Sequence, residues 1–447
     1  MLLTVVLFIS VLCVMVVIHE FGHFIVAKML GNPAEVFSVG FGPRLFGFQW
    51  DGTDFRLSAI PLGGYVRFKG ENMEALQGAS DASPDEFLSH PGWKRLLVAL
   101  AGPLFNIVTA LLIPAAGILI GYEDDILYSQ QVVIGDVRQG SPAEKAGLHK
   151  GDQIVSYQNK TNPTWQDLID ETSIRLDEAI PLTALRNGQR LDLTLTPRIE
   201  QSGNEKIGRA DLEPPIDHLR VNEVISGTPA DQAGLQVGDK IVALNATPIF
   251  ASAQLQRLAQ EGKEIVMTIE RNNQRLDLRA TPVKDTPTKP YRVGVQVSPP
   301  QRLVLIQTSS LAQALRFGWD FNMRYLRMAG IVFKQIFAGK RSARDVLGGP
   351  LRIAKETSSA YEYGGLASVI RLMGVLSLNL GIFNLLPIPV LDGGMILLII
   401  VEWIMGIVGL TLTMNMRERF QQVGLVLVLL LMAFVIVNDS ANLLWPR

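Results

Sequence analysis

The first apolar run constrains this chain most. Leu2 to Ile18 carries no charged residue, and His19, Glu20 and His23 follow it directly. A stretch of this length and composition has to be buried as a helix, in lipid or in protein. On a helix, positions i and i+4 share a face, so both imidazoles can grip one metal ion while the glutamate handles protons. Ionisable groups are costly in a lipid-facing helix and are therefore usually functional. The pattern points to metal-dependent peptide-bond hydrolysis at membrane depth.

Composition agrees with a membrane setting. The 447 residues are 48% hydrophobic, with a mean hydropathy of +0.24, and leave room for several units. A net charge of -1 gives no argument for nucleic acid. The single cysteine, Cys13, excludes an intrachain disulfide. The first run lacks a basic leading region and a small-residue cleavage site, so it reads as a retained helix rather than a signal peptide.

Four segments are long enough to span a bilayer, which takes ~20 helical residues. The expected order is a first transmembrane helix at 1–30, a cytoplasmic, membrane-associated β-hairpin region at 31–95, and a second transmembrane helix at 96–120. Two outward α+β domains follow at 121–215 and 216–300, then an amphipathic helical region at 301–370. A third transmembrane segment at 371–402, a cytoplasmic link at 403–420 and a fourth helix at 421–439 complete it. Arg44, Arg56, Arg67, Lys69, Lys94 and Arg95 lie between the first two spans, and Arg417 and Arg419 between the last two. The positive-inside rule makes both links cytoplasmic and puts the large middle region and both termini outside.

The middle region repeats itself. Gly140-Ser-Pro-Ala-Glu-Lys-Ala-Gly-Leu148 precedes Gly151-Asp152, and Gly227-Thr-Pro-Ala-Asp-Gln-Ala-Gly-Leu235 precedes Gly238-Asp239, at a constant offset of 87 residues. Each copy reads as strand, turn, short helix, Gly-Asp turn and strand. This resembles the core of a PDZ domain. Gly208 and Gly294, each between strand-like residues, are candidates for the peptide-binding loop, and their late position implies a circular permutation. Ordinary strand-end turns explain the same glycines equally well. From 309 to about 360, apolar residues such as Leu311, Leu315 and Trp319 interleave with Arg316, Arg324 and Arg327. That suits an amphipathic helix on the outer face or against the spans.

On the cytoplasmic side, Leu45 to Trp50, Asp51-Gly52, Phe55 to Ile60, Pro61-Leu62-Gly63-Gly64 and Tyr65 to Lys69 read as two consecutive hairpins. Beside a membrane active site they could pair with an unwound substrate strand, with Gly63, Gly64 and Tyr65 as contacts. They could equally be a cap without substrate contact.

A catalytic zinc usually has three protein ligands and one open position. His19 and His23 supply two. His149 and His218 fall in the outward domains, while His90 remains a weaker candidate just before the second span. Asp392 is the better third ligand, in Asn384-Leu-Leu-Pro387-Ile-Pro389-Val-Leu391-Asp392-Gly393-Gly394. Glu402 lies further along, beside Trp403, as an interfacial residue would. His19 comes about 26 Å below Leu2 and Asp392 up to about 31 Å below Arg371, so the two reach similar depth. Pro387 and Pro389 break the helix, which lipid tolerates only beside protein or water. In the second span, Gly102-Pro103 and Asn106 form another break and another buried amide; both Asn106 and Asn384 could simply bond neighbouring helices.

The His-Glu-x-x-His set, the run from Asn384 to Gly393 and the two PDZ-like units together resemble the site-2 family of intramembrane zinc metalloproteases, in its bacterial sigma-E-regulating branch. The resemblance covers nearly the whole chain. It implies one zinc ion on His19, His23 and Asp392, with Glu20 as general base. Asn384, Pro387 and Pro389 would lie near the substrate backbone, and the hairpin would present substrate. It also implies a multi-pass protein of the bacterial inner membrane with periplasmic PDZ-like domains. The expected substrates are single-pass membrane proteins: an anti-sigma factor already trimmed outside, and remnant signal peptides. An inactive PDZ scaffold and a zinc transporter are the competing classes; the absence of an inverted repeat of spans disfavours transport.

Overall fold

The computed structural model describes residues 2–70, 87–202, 205–284, 290–346, 348–410 and 413–444. Among these, four helical stretches are long and apolar enough to cross a membrane: Leu2–Met29, Gly92–Ile120, Gly364–Asn384 and Asn415–Asp439. The chain forms two compact units, one of residues 1–121, 307–329 and 342–447, the other of residues 122–306 and 330–341.

The first unit begins with α1 (Leu2–Met29), β1 (Ala34–Trp50), β2 (Thr53–Phe68) and α2 (Gly92–Ile120). Glycine lets α1 and α2 approach closely, since a Cβ at Gly22 would lie 2.6 Å from the Ala101 carbonyl oxygen. At the end of α1, Phe24 packs against Phe37 and Phe55, with ring centroids 5.6 and 5.4 Å away. The first expected hairpin forms, with Trp50 opposite Thr53 and Phe48 opposite Phe55. The second does not. Tyr65 to Phe68 instead pairs with the start of β1, Ser38 facing Tyr65 and Ala34 facing Phe68. The start of β1 therefore lies between two stretches of β2: Phe37 is opposite both Phe55 and Val66. Burial explains the choice, because this arrangement puts Phe37 and Phe68 into the apolar cluster around Phe24 and Ala27.

In the second unit the repeats fold alike. The first has β3 (Gln153–Tyr157), α3 (Trp165–Ile174), β4 (Ile180–Arg186), β5 (Gln189–Leu195), and a hairpin of β6 (Arg198–Ser202) and β7 (Glu205–Arg209). The second has β8 (Leu219–Val224), β9 (Lys240–Leu244), α4 (Gln254–Gln260), β10 (Ile265–Arg271), β11 (Gln274–Ala280) and β12 (Val295–Ser298). Its sheet runs β11-β10-β9-β8-β12, leaving β12 at one edge. Each repeat closes on its own apolar core, around Ile154, Leu182 and Leu195 in one and Ile241, Met267 and Ile269 in the other.

The two candidate loop glycines are not equivalent. Gly294 has φ +85 and its carbonyl accepts from the Ile225 N–H at 2.9 Å. At the matching point of the first repeat, the Arg138 N–H donates to Asp211, whose φ is +58. Gly208 lies instead within β7, packed against the Thr172 and Arg175 carbonyls at the end of α3. Aspartate tolerates the left-handed region through its short polar side chain, so the loop position of the first repeat carries no glycine signature.

After the repeats comes α5 (Leu311–Phe337), whose residues up to 329 belong to the first unit; its early turns pack on α2 through Asn322, its amide donating to the Ala110 carbonyl at 2.9 Å. The third span differs from the single segment expected at 371–402. α6 (Pro350–Asn384) starts earlier, bends at Gly364 and Gly365, and stops at Asn384. A turn of residues 385–391 leads to α7 (Asp392–Ile407), and α8 (Met414–Leu444) follows. Pro387 and Pro389 cannot donate to a helical ladder, which stops α6 and forces the turn. Val390 takes φ +81, a strained conformation for a β-branched residue. The turn folds back on Gly393 and Gly394, where any Cβ would strike the Leu386 and Ile388 carbonyls.

Both Gly-Asp turns end in a buried ion pair. The side chain of Asp152 is fully buried and accepts from Arg186 at 2.7 Å, and Asp239 is matched by Arg271 at 2.6 Å. Burial pushes each carboxyl up, but the arginine hydrogen bond and a backbone N–H, from His149 or Gln236, outweigh it and hold both below the usual carboxylate range. A depressed carboxyl adds stability above its unfolded pKa and loses it as pH falls through the folded value. Asp239→Asn is therefore expected to destabilise the second repeat by about 2 kcal/mol at neutral pH, given the partly exposed arginine. Denaturant titration at several pH values should show that deficit shrinking below about pH 4.

Candidate active site

The late turns of α1, the middle of α2, the end of α6 and the start of α7 converge on one polar cluster. His19 and His23 are both buried, and their Nε2 atoms lie 3.2 Å apart. Asp392 Oδ2 is 3.0 Å from His19 Nε2, and Oδ1 is 3.2 Å from His23 Nε2. Among the described residues, these three form the group of histidine and carboxylate donors able to hold a metal ion, with all ligand atoms within 4.8 Å of one another. Asp392 Oδ2 is buried and accepts no well-aligned hydrogen bond from the protein. Two imidazole nitrogens and one carboxylate, one of whose oxygens is orphaned, suit zinc, which takes such donors tetrahedrally and keeps a fourth position open.

One face of α2 supports the cluster. Val98, Gly102 and Asn106 are four residues apart and so lie along one stripe of the helix. The Val98 carbonyl lies 2.7 Å from His23 Nδ1 and can only accept, which puts the ring proton on Nδ1 and leaves Nε2 as a lone pair. Gly102 makes room for both rings: a Cβ there would strike His23 Nε2 and come 2.8 Å from His19 Cε1. Asn106, fully buried, has its amide 3.1 Å from His19 Nδ1.

Glu20 lies one residue from His19 and borders the same cavity of about 440 Å³. Its Oε2 accepts the Val66 backbone N–H at 3.0 Å, so β2 is tied to this carboxylate. Gly64 permits the approach, since a Cβ there would lie 2.7 Å from the Ser38 carbonyl and 3.5 Å from Glu20 Cγ. Gly63, Gly64 and Tyr65 line the cavity, as does Asn384, whose amide nitrogen is 3.2 Å from His19 Nε2. A carboxylate, a metal-competent cluster and an amide donor thus face one space bordered by a strand edge.

Other candidates lie elsewhere. Pro387 and Pro389 are not among the lining residues; Pro389 packs against Gly424 of α8. His90 does not line the cavity either, and Glu402 is bound by Arg95 at 3.0 Å and Arg417 at 2.9 Å. Gly208 and Gly294 belong to the repeat units. Sequence reasoning gave no role in the site to the Val98 carbonyl, to Gly102, which it read with Pro103 as a helix break although α2 runs through both as one helix, or to the Val66 N–H. The four-residue spacing of Val98, Gly102 and Asn106, matching that of His19 and His23, is the signal that could have found the first two. Gly102→Ala should lower metal retention ~10-fold or more in chelator competition. Gly117→Ala, in the same helix with nothing within 4 Å of the added Cβ, should leave it unchanged.

The sequence model of peptidase family M50 matches residues 7–431. A "Putative zinc metalloprotease" of Neisseria meningitidis is 30% identical over 466 residues, covering 99% of each chain. One so named in Treponema pallidum is 30% identical over 414 residues, covering 88% of this chain and 90% of its own. "Protease RseP" of Yersinia pestis is 29% identical over 454 residues, covering 98% of each. The chain belongs to peptidase family M50, the zinc metalloproteases of the site-2 type.

Proposed function

We propose that this protein cleaves a peptide bond within the transmembrane segment of single-pass membrane proteins, using one zinc ion held by His19, His23 and Asp392. The observation that carries the reading is the meeting of those three side chains beside Glu20 and a cavity edged by β2. Zinc bound there supplies Lewis acidity for the scissile carbonyl and for a water. Glu20 is the general base. With Oε2 held by the Val66 N–H, Oε1 takes the water proton and returns it to the leaving amine nitrogen. The Asn384 amide donates to the carbonyl oxygen as charge develops on it.

A helical substrate has its carbonyls tied into its own ladder, so it must unwind before hydrolysis. Strand addition along Gly63 to Val66 would replace part of the lost hydrogen bonding. The family and the relative named RseP support an inner-membrane enzyme whose substrates are membrane proteins. Within that reading, the substrates are an anti-sigma factor already trimmed outside and remnant signal peptides. The two repeats are PDZ-like, circularly permuted domains on the periplasmic side, with both termini. There they act as a size filter or sensor. Gly294, ahead of the edge strand β12, is the better candidate for a carboxylate-binding loop.

Cleavage of a tagged single-pass membrane protein by purified enzyme tests the reading. Glu20→Gln should reduce turnover by about a hundredfold to ten-thousandfold while zinc content stays near that of the wild type. Chelation should abolish cleavage by the wild type, and added zinc should restore it. Equal cleavage by both proteins would contradict the assignment of Glu20. Zinc binding without cleavage of any of several substrates would favour a scaffold.

A further inference from the structure

Asn106 lies outside the ligand set, and its contact with His19 can be made in two ways. A half-turn of the side-chain amide exchanges Oδ1 and Nδ2 at nearly the same points in space. With the NH2 group toward the ring, His19 Nδ1 holds a lone pair, and the ring proton sits on Nε2, the nitrogen that lies 3.0 Å from Asp392 Oδ2. That tautomer cannot give Nε2 to a metal. With Oδ1 toward the ring, Nδ1 carries the proton and Nε2 the lone pair.

Ser377 favours the second arrangement. This fully buried hydroxyl of α6 donates to the Asn106 backbone carbonyl at 3.0 Å, and it lies 3.4 Å from the outer atom of the Asn106 amide. If that outer atom is an oxygen, both groups need the one hydroxyl proton. If it is the NH2, it donates to the hydroxyl oxygen while the hydroxyl proton still serves the carbonyl. Every partner is then satisfied in a site where an unmet polar group is expensive. His23 is fixed the same way by the Val98 carbonyl, one turn from Gly102 on the other side.

We infer that Asn106 is a positioning residue: turned by Ser377, its Oδ1 holds the His19 Nδ1 proton and so commits Nε2 to the metal. The inference rests on the zinc site proposed above. It makes α2, which supplies no ligand, the element that sets the tautomer of both ligand histidines.

The test is zinc affinity, measured by competition with a chromophoric chelator at one pH on the full-length protein in detergent or nanodiscs. Asn106→Leu keeps the volume but removes the acceptor, and should weaken zinc binding about 10- to 100-fold. Asn106→Asp keeps an acceptor toward the ring and, when ionised, cannot donate, and should bind zinc clearly more tightly than Asn106→Leu. Ser377→Ala, which frees the amide to turn, should give a smaller loss than Asn106→Leu. Nitrogen NMR of labelled histidine reads the tautomer directly, with Nδ1 of His19 protonated in the zinc-loaded wild type and in Asn106→Asp. Equal affinity of Asn106→Leu and wild type would overturn the inference, and so would an equally large loss in Asn106→Asp. Loss of zinc from His23→Ala alongside retention in Asn106→Leu would defeat this inference and leave the site reading intact. No zinc binding by the wild type would defeat both.

Discussion

The structure depends on two imidazoles and a carboxylate meeting inside a bundle of apolar helices. Polar groups at that depth are tolerable only when each has a partner, so the surrounding helices are built around them. Gly22 brings α1 onto α2, and Gly102 removes the side chain that would occupy the space of the two rings. Pro387 and Pro389 end α6 and produce the turn that carries Asp392 to the histidines. Gly393 and Gly394 let that turn fold back on the start of α7. Every break in the regular helices of the first unit that lies near the cluster serves its geometry.

The same requirement ties the strands to the chemistry. β2 reaches Glu20 through a single backbone N–H, at Val66, on the strand edge turned away from β1. The carboxylate that would move the proton is thus held by the edge that would take up a substrate strand. Hydrolysis inside a membrane needs water, an unwound peptide and a base at one point, and a cavity bounded by polar helix faces on one side and a strand on the other can supply all three.

Much of this was legible in the sequence, for a physical reason. Charged and imidazole side chains are so unfavourable in apolar helices that His19, Glu20, His23 and Asp392 stand out without any structure, and depth counting brings them to one level. The prolines announced a broken helix near Asp392, although the third span starts and stops elsewhere than its hydropathy suggested. Strand pairing was less legible. The first hairpin is local and has its Asp51-Gly52 turn. The partner of Tyr65 to Phe68 lies about thirty residues back, at Ala34 to Ser38, and is chosen by burial around Phe24. The loop of the first repeat was hidden because Asp211 takes the backbone conformation that glycine takes at 294. Asn106 was ambiguous because a buried amide in a membrane helix looks the same whether it glues helices or orients a ligand.

X-ray absorption at the zinc edge of purified, zinc-loaded protein tests the central claim most directly. The account predicts one zinc per chain with a first shell of nitrogen and oxygen only, two of the donors being imidazoles. It also predicts that His23→Ala and Asp392→Ala each lose one donor of the expected kind. A sulfur ligand, a shell unchanged in both variants, or zinc bound through His90 would contradict it.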